Sequence, residues 1–256
     1  MNRRIGGAST RADELASGLV RVRGRIDAAC ASAGRAASDV TLIVVTKTYP
    51  ASDVRVLVGL GVHDVGENRD QEAAPKRDEV EAATGLGADL DVDSAWSAGA
   101  EHLRWHCIGQ VQTNKARSVA RWADVIHSLD RPRLVTAMGR AATDQGRTLD
   151  ALIQIGLDDE PGRGGCAPEE SVALADLVAA TEGLSLRGVM AVAPLGADPQ
   201  VSFERLGAIA RQVSRDHPEA TWISAGMSGD LDQAVAAGAT HVRVGSAVLG
   251  SRPAVG

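Results

Sequence analysis

Short runs of β-branched residues alternate with alanine-rich stretches of helical spacing along nearly the whole chain, and that alternation limits the possible folds more than any other feature. Eight runs read as strands, at 41–46, 62–65, 105–108, 125–127, 152–155, 186–191, 221–224 and 241–244, and each is followed by a helix-compatible stretch. Parallel strands cannot be joined by a tight turn. They need a crossover of about a dozen residues or more, which a helix supplies. Eight strand-then-helix units close most naturally as one TIM (β/α)8 barrel, an α/β fold. Ahead of it, Leu15, Leu19, Val22, Ile26 and Ala29 recur at spacings of three and four, predicting an amphipathic helix over about 9–33 that Gly34 stops. The expected organisation is a single domain over 1–256, with the barrel over about 40–252. The longest expected loops, 158–168 and 194–199, have the same composition on both sides and so do not divide it.

Composition narrows what such a barrel would handle. The net charge of −6 leaves no basic footprint for nucleic acid or an anionic membrane. No apolar run approaches the length of about 20 residues that spans a bilayer, and residues 1–11 contain no apolar stretch. Cys30, Cys107 and Cys166 are odd in number, far apart and without a CxxC pair, so neither a disulfide framework nor a metal site is expected and a cytoplasmic location fits. Aromatic residues are only 2% of the chain, which leaves few platforms for stacking bases and a core of Ala, Val, Leu and Ile. A small molecule is the favoured ligand.

In a TIM barrel the chemistry sits at the C-terminal ends of the strands. Here those ends carry Lys47, Glu67 with Asn68, His106 with Gly109, Ser128, Met190, Ser224, and Arg243 with Gly245. Lys47 stands out because the chain has three lysines (Lys47, Lys76, Lys115) against twenty-four arginines. A surface cation in this chain would usually be arginine. An amine that forms a Schiff base cannot be replaced that way, because a guanidinium neither deprotonates nor condenses with an aldehyde. The plain alternative is a solvated lysine at a strand end.

The last two strands add an anion-binding pattern. In the segment from Trp222 to Asp230, an apolar strand runs through Ser224, Gly226 and Met227 into a turn of small residues, and a helix is expected to begin near 228–230. Such a turn turns N–H groups and hydroxyls toward an anion. The eighth strand repeats the device, with Arg243 and Gly245 on one side and the N–H groups of Gly245 and Ser246 free to face a phosphate. Either turn alone would serve equally well as a simple connection. A lysine and a phosphate cradle on one rim suggest pyridoxal 5′-phosphate. Arg243 facing its pyridine nitrogen would keep that nitrogen unprotonated and the ring a poor electron sink; the alternative is an ion pair with a rim carboxylate such as Glu67. Asn68 and Glu67 would order the lysine or ring substituents, or Asn68 would cap a helix. His106 is a proton shuttle or, more commonly for an isolated strand histidine, a satisfied core residue. Gln112, Asn114 and Lys115 lie where a helix should start, and Met190 is expected to pack the mouth beneath the cofactor.

The motifs VTKTYP, GENR, WHCIGQVQTNK, LRGVMAV, SAGMSGD and VRVGSAVLG, spread from residue 45 to residue 250, together resemble the YggS/PROSC family of pyridoxal phosphate homeostasis proteins. The resemblance covers roughly 38–252. It implies a single-domain barrel of the alanine racemase N-terminal domain type (fold type III among pyridoxal phosphate proteins), with Lys47 as the internal aldimine. It also implies phosphate contacts from Ser224, Met227, Gly245 and Ser246, and Arg243 near the pyridine nitrogen. Two positions depart from the family's habit: Arg69 stands where an aromatic often follows GEN, and Thr46 replaces a serine before the lysine.

The expected function is a pyridoxal phosphate holder that acts in cofactor homeostasis and supplies apo-enzymes, as a monomer and without strong turnover. An amino-acid racemase on the same barrel would need a second base on the opposite face of the cofactor. The single tyrosine, Tyr49, lies two residues from Lys47 and is poorly placed for that. A Schiff-base aldolase using the lysine and a phosphorylated substrate without cofactor is the third reading, disfavoured by the whole-chain resemblance.

Overall fold

The computed structural model describes residues 10–84, 103–158 and 164–250. Eight strands, β1 (Thr41–Val45), β2 (Asp64–Glu67), β3 (Arg104–Cys107), β4 (Val125–Leu129), β5 (Leu149–Gln154), β6 (Leu184–Met190), β7 (Trp222–Ser224) and β8 (His241–Val244), form a closed barrel in chain order. Every adjacent pair is parallel, including β8 with β1, which closes the ring through Thr41↔His241 to Val44↔Val244. The chain therefore folds as the TIM barrel expected from its eight runs. Each run overlaps an observed strand, but β2 starts two residues later than its β-branched pair suggested. Val62 and His63 belong to the approach, and Asp64 begins the ladder by pairing with Arg104 of β3.

The outer layer comprises α1 (Arg11–Ser32), α2 (Ala51–Gly59), α3 (Asp70–Thr84), α4 (Ala116–Trp122), α5 (Pro132–Thr143), α6 (Ser171–Ala179), α7 (Pro199–Asp216), α8 (Leu231–Ala236) and α9 (Ser246–Leu249). The helix after β7 begins at Leu231 rather than near 228–230, so the SAGMSGD segment is a longer turn than its glycines alone implied. Parallel strands with helices over them are buried on both faces, which explains the apolar run of β1 and the burial of every residue of β4. The larger core lies between strands and helices. A smaller one fills the barrel's inside, where Val125, Leu152 and Met190 pack with Trp222.

The N-terminal helix packs where the ring closes. Thr10 caps α1 in a reciprocal capping box with Asp13, and Gly34, at φ +67°, follows its end. Its buried stripe, Leu15, Leu19, Val22, Ile26 and Ala29, is the one its spacing predicted. Arg25 binds Asp232 at 2.6 Å, and Arg35 donates to the carbonyls of Val235 and Ala239 at 2.9 and 2.8 Å, tying α1 to α8 and its end. Gly18 sits so close to α9 that a Cβ would lie 2.3 Å from the Val248 carbonyl oxygen. The helix thus braces the short element that carries Ser246. Among the described residues no helix is long and apolar enough to cross a membrane.

Two glycines of α1 should respond with opposite signs. Gly18→Ala forces two backbones apart and should lower stability by about 1–3 kcal/mol. At Gly24 a Cβ meets nothing within 4 Å, so Gly24→Ala should raise stability by up to about 1 kcal/mol through helix propensity. Urea denaturation of both variants checks this, and equal effects would show that α1 does not seat tightly on α9.

Candidate functional site

Lys47 occupies a tight turn immediately beyond β1. The Thr46 carbonyl accepts from the Tyr49 N–H at 3.1 Å, which closes the turn, and from Lys76 Nζ at 2.9 Å. Thr48 holds φ +68° and is the one non-glycine among the described residues with positive φ. For a β-branched residue that conformation is costly, of the order of 1–3 kcal/mol, and persists only where its surroundings over-determine it. The surroundings here are specific. The Thr46 hydroxyl donates to Glu67 Oε1 at 2.7 Å, and Lys76 donates to the same oxygen at 2.6 Å. Glu67 is fully buried, and its second oxygen, Oε2, has no hydrogen-bond partner among the described residues. Burial raises the Glu67 pKa, with Lys76 and Thr46 opposing. Lys47 is half-buried, and the residue before it is fixed by a buried acid and a buried amine.

Barrel closure sets the opposite wall. Because Val44 pairs with Val244, Gly245 and Ser246 continue beside Val45 and Thr46; a Cβ on Gly245 would lie 3.3 Å from the Val45 carbonyl oxygen. Ser224 ends β7 with no exposure, alongside Met190 of β6. Gly226, at φ +89°, accepts a hydrogen bond from the Arg243 N–H at 2.9 Å. The Arg243 guanidinium, 4% exposed, donates to Ser224 Oγ at 2.5 Å and to the Ala191 carbonyl at 2.9 Å. Burial pushes its pKa down to about 10, with Asp230 opposing, so it remains a cation at neutral pH. The ion pair with Glu67 that the sequence left open does not form, since Glu67 is taken by Lys76. Met227 is half-exposed and its N–H already donates to Asp230 Oδ1 at 2.6 Å, so an anion there would compete with a carboxylate.

Inside the barrel a line of buried polar groups leads up to this rim. Arg104 pairs with Asp64 Oδ1 at 2.7 Å at the foot of β2 and β3. Asp64 Oδ1 lies 2.9 Å from His106 Nε2, His106 Nδ1 2.9 Å from His127 Nε2, and His127 Nδ1 3.0 Å from Ser224 Oγ. Ser224 then meets Arg243. Burial would raise the Asp64 pKa, but the hydrogen bond and charge of His106 and the charge of Arg104 outweigh it and hold the carboxyl below its usual range. Burial, reinforced by the charges of His106 and Arg243, pushes His127 well below the ordinary histidine value.

His106 is therefore a buried, hydrogen-bonded residue, and it belongs to a chain. Asp64, His127 and Lys76 were not singled out by sequence reasoning. Asp64 is a lone charge inside the expected run 62–65, and it, His127 and Lys76 acquire meaning only when the strands close. Asn68, partly buried, follows β2, but the helix after it is entered from Arg69, whose carbonyl accepts the Ala73 N–H at 2.9 Å; Asn68 is not its cap. Ser128 donates to the Gly109 carbonyl at 2.7 Å. Gln112 precedes the short turn of Thr113–Lys115 without a side-chain cap, Asn114 is exposed, and Lys115 lies 4.0 Å from Asp70. Tyr49 is buried and donates to the Gly250 carbonyl at 2.8 Å. A groove of about 630 Å3 between α4 and α5, lined by Arg117, Arg133 and Arg140, belongs to the outer helices.

The model of the alanine racemase N-terminal domain family matches residues 23–253. A protein of Mycobacterium tuberculosis named pyridoxal phosphate homeostasis protein is 41% identical over 254 residues, 94% of each chain. One of the same name from Escherichia coli is 34% identical over 247 residues, 94% of this chain and 97% of its own. The solved structure of PipY from Synechococcus elongatus with PLP bound shares a TM-score of 0.74 and 30% identity, covering 92% of this chain and 100% of that one.

The buried histidines make the fold acid-sensitive. Burial, followed by the charges of His106 and Arg104, pushes His241 down to about 3, and His127 is lowered as well. Both are neutral when folded, whereas unfolded histidine takes a proton near about pH 6.5. Their contribution to stability is thus present above about pH 6.5 and is lost as pH falls toward the folded values, at up to about 1.4 kcal/mol per pH unit for each proton. The urea midpoint should be flat from pH 8 to 7 and fall below pH 6.5. The fall should be shallower in His241→Asn by one proton's worth, and an unchanged slope would place His241's titration elsewhere.

Proposed function

The chain belongs to the alanine racemase N-terminal domain family, and we propose that it binds pyridoxal 5′-phosphate through Lys47 and holds it for cellular supply rather than for rapid turnover. The observation that carries this reading is the seam between β8 and β1. It sets an amine, a buried arginine and two Gly/Ser turns within one mouth. The names of the relatives and the PLP-bound PipY structure support the same cofactor.

The residues present fit that group. Lys47 is half-buried just beyond the end of β1, and a primary amine is the nucleophile that a Schiff base requires. Lys47 Nζ would condense with an aldehyde, losing water and forming a Schiff base. Ser224, Gly226, Gly245 and Ser246 would hold a phosphate, with Met227 contributing only if its N–H leaves Asp230. Gly245 leaves room that a side chain would begin to fill against Val45. Asn68 would stand on the side of the mouth formed by β2, and Met190 forms floor. When bound, pyridoxal phosphate supplies an aldehyde and a conjugated ring able to take up electrons. Arg243, a cation at neutral pH, would disfavour protonation of a ring nitrogen facing it and so weaken that electron uptake. Tyr49, the chain's one tyrosine, is buried against Gly250 and is not a second base at the mouth. Apo-enzymes that use pyridoxal phosphate are the proposed recipients, and the cytoplasm the proposed location.

Lys47→Ala should abolish the near-visible absorbance of the loaded protein and the borohydride-fixed adduct seen by mass spectrometry, while weaker, phosphate-anchored binding remains. A normal spectrum in this variant would remove Lys47 from the role. Arg243→Glu reverses the charge beside the ring and should shift the absorbance maximum or weaken binding at least tenfold; no change in either would mean that Arg243 does not face the cofactor. The wild-type chain should racemise alanine weakly or not at all, and robust racemisation would overturn the holder reading.

A further inference from the structure

The line from Asp64 to Arg243 admits two directions of hydrogen bonding, and they differ in what Ser224 offers to the mouth. With both imidazoles neutral, Asp64 accepts from His106 Nε2–H, His106 Nδ1 accepts from His127 Nε2–H, and His127 Nδ1 accepts from the Ser224 hydroxyl. Ser224 Oγ meanwhile accepts from Arg243 NH1. Each imidazole N–H has an acceptor, and the single hydroxyl proton of Ser224 points down into the barrel. Toward the mouth Ser224 then shows only lone pairs, which repel an anion.

For Ser224 to donate to a phosphate, its proton must leave His127. His127 must then donate from Nδ1, which requires that its Nε2 accept. The one group there is His106 Nδ1, which must therefore carry a proton while Nε2 keeps its own toward Asp64. The reversed line holds one proton more than the original, and that proton makes His106 an imidazolium 2.9 Å from the Asp64 carboxylate. The groups facing His106 are Asp64 from β2, Arg104 on its own strand, His127 from β4 and His241 from β8, with Arg243 beyond Ser224. Asp64 is the only carboxylate of this set. A groove of about 320 Å3, lined by Arg23, Asp27, His63 and Asp64, lies at the foot of the barrel and gives the proton an entrance opposite the mouth.

We propose that Asp64, His106 and His127 are positioning residues that set the direction of the Ser224 hydroxyl, and that anchoring a phosphate on Ser224 draws one proton into the Asp64–His106 pair. The inference rests on the reading of Ser224 as a phosphate anchor. It makes binding at the mouth sensitive to pH through groups three side chains away.

The test is calorimetric titration with pyridoxine 5′-phosphate, which carries the phosphate but no aldehyde, so condensation at Lys47 does not enter. At pH 8 the phosphate is already a dianion, its second pKa being about 6. Measured in buffers of different ionisation enthalpy, binding to the wild-type protein should take up one proton more than binding to His106→Asn or Asp64→Asn. The ammonium of Lys47 contributes equally in all three and cancels in the difference. Affinity should correspondingly fall about tenfold more per pH unit in the wild type than in His106→Asn. Should the variants not fold, 15N-edited spectra of wild-type histidine side chains supply the second readout. Ligand should move His127 from the Nε2–H to the Nδ1–H form and leave both His106 nitrogens protonated. Binding with no difference in proton uptake, or with an unchanged His127 tautomer, overturns the coupling alone. No binding at all overturns the phosphate site and the coupling with it.

Discussion

Closure of the barrel by β1 against β8 is the constraint on which the rest depends. Four paired positions, Thr41↔His241 through Val44↔Val244, fix the ring and, one residue further, bring the Lys47 turn alongside Gly245 and Ser246. A register slip of one residue would turn every side chain of one strand to the other face. Arg243 would then leave the interior and the line below Ser224 would lose its upper end. The N-terminal helix reinforces this seam from outside, through Gly18 on α9 and through Arg25 and Arg35 on α8 and its end. Its role in the fold and its bearing on the site are therefore the same.

The inside of the ring shows how a chain with 2% aromatics fills space. His106, His127 and His241 supply flat rings where a phenylalanine would otherwise fit, and Trp222 lies against His241 with ring centroids 4.4 Å apart. Burying an imidazole costs stability unless both nitrogens find partners. His106 and His127 each have two. The resulting line is at once packing material and a directed hydrogen-bond chain, so a proton that opposes the fold at His127 would, on the proposed coupling, favour an anion at the mouth when it enters at the Asp64–His106 pair.

Much of this was legible in the sequence, though unequally. The eight strands could be found because buried parallel strands are rich in β-branched residues; their ends were placed only to within three residues, β5 starting at Leu149 rather than Leu152, because a strand buried on both faces lacks alternation. Lys47, Ser224 and Arg243 could be chosen as candidates because barrel chemistry gathers at strand ends, and the structure places them at or next to the ends of β1, β7 and β8. Lys76 could not: nine residues beyond Glu67 on a helix, it looks like an ordinary surface lysine until Thr46 and Glu67 close around it. Asp64 and His127 were missed for a related reason. Each is unremarkable in its own segment, and only the circular order of strands sets β2, β3, β4 and β7 into one line.

The scarcity of lysine then gains a second meaning. Lys76 is a buried cation whose Nζ lies 2.9 Å from the carbonyl of the residue before Lys47. Arginine in its place would bring a planar fork of five donors to a site where one oxygen of Glu67 and one carbonyl are the acceptors in use. A compact ammonium satisfies both and leaves Glu67 Oε2 uncommitted. On the proposed function the chain keeps lysine where a reactive amine is needed, and it keeps it again where a small cation must share one buried oxygen with a threonine hydroxyl. These are two different physical demands on one residue type, and they meet across a single turn whose strain at Thr48 the second lysine helps to hold.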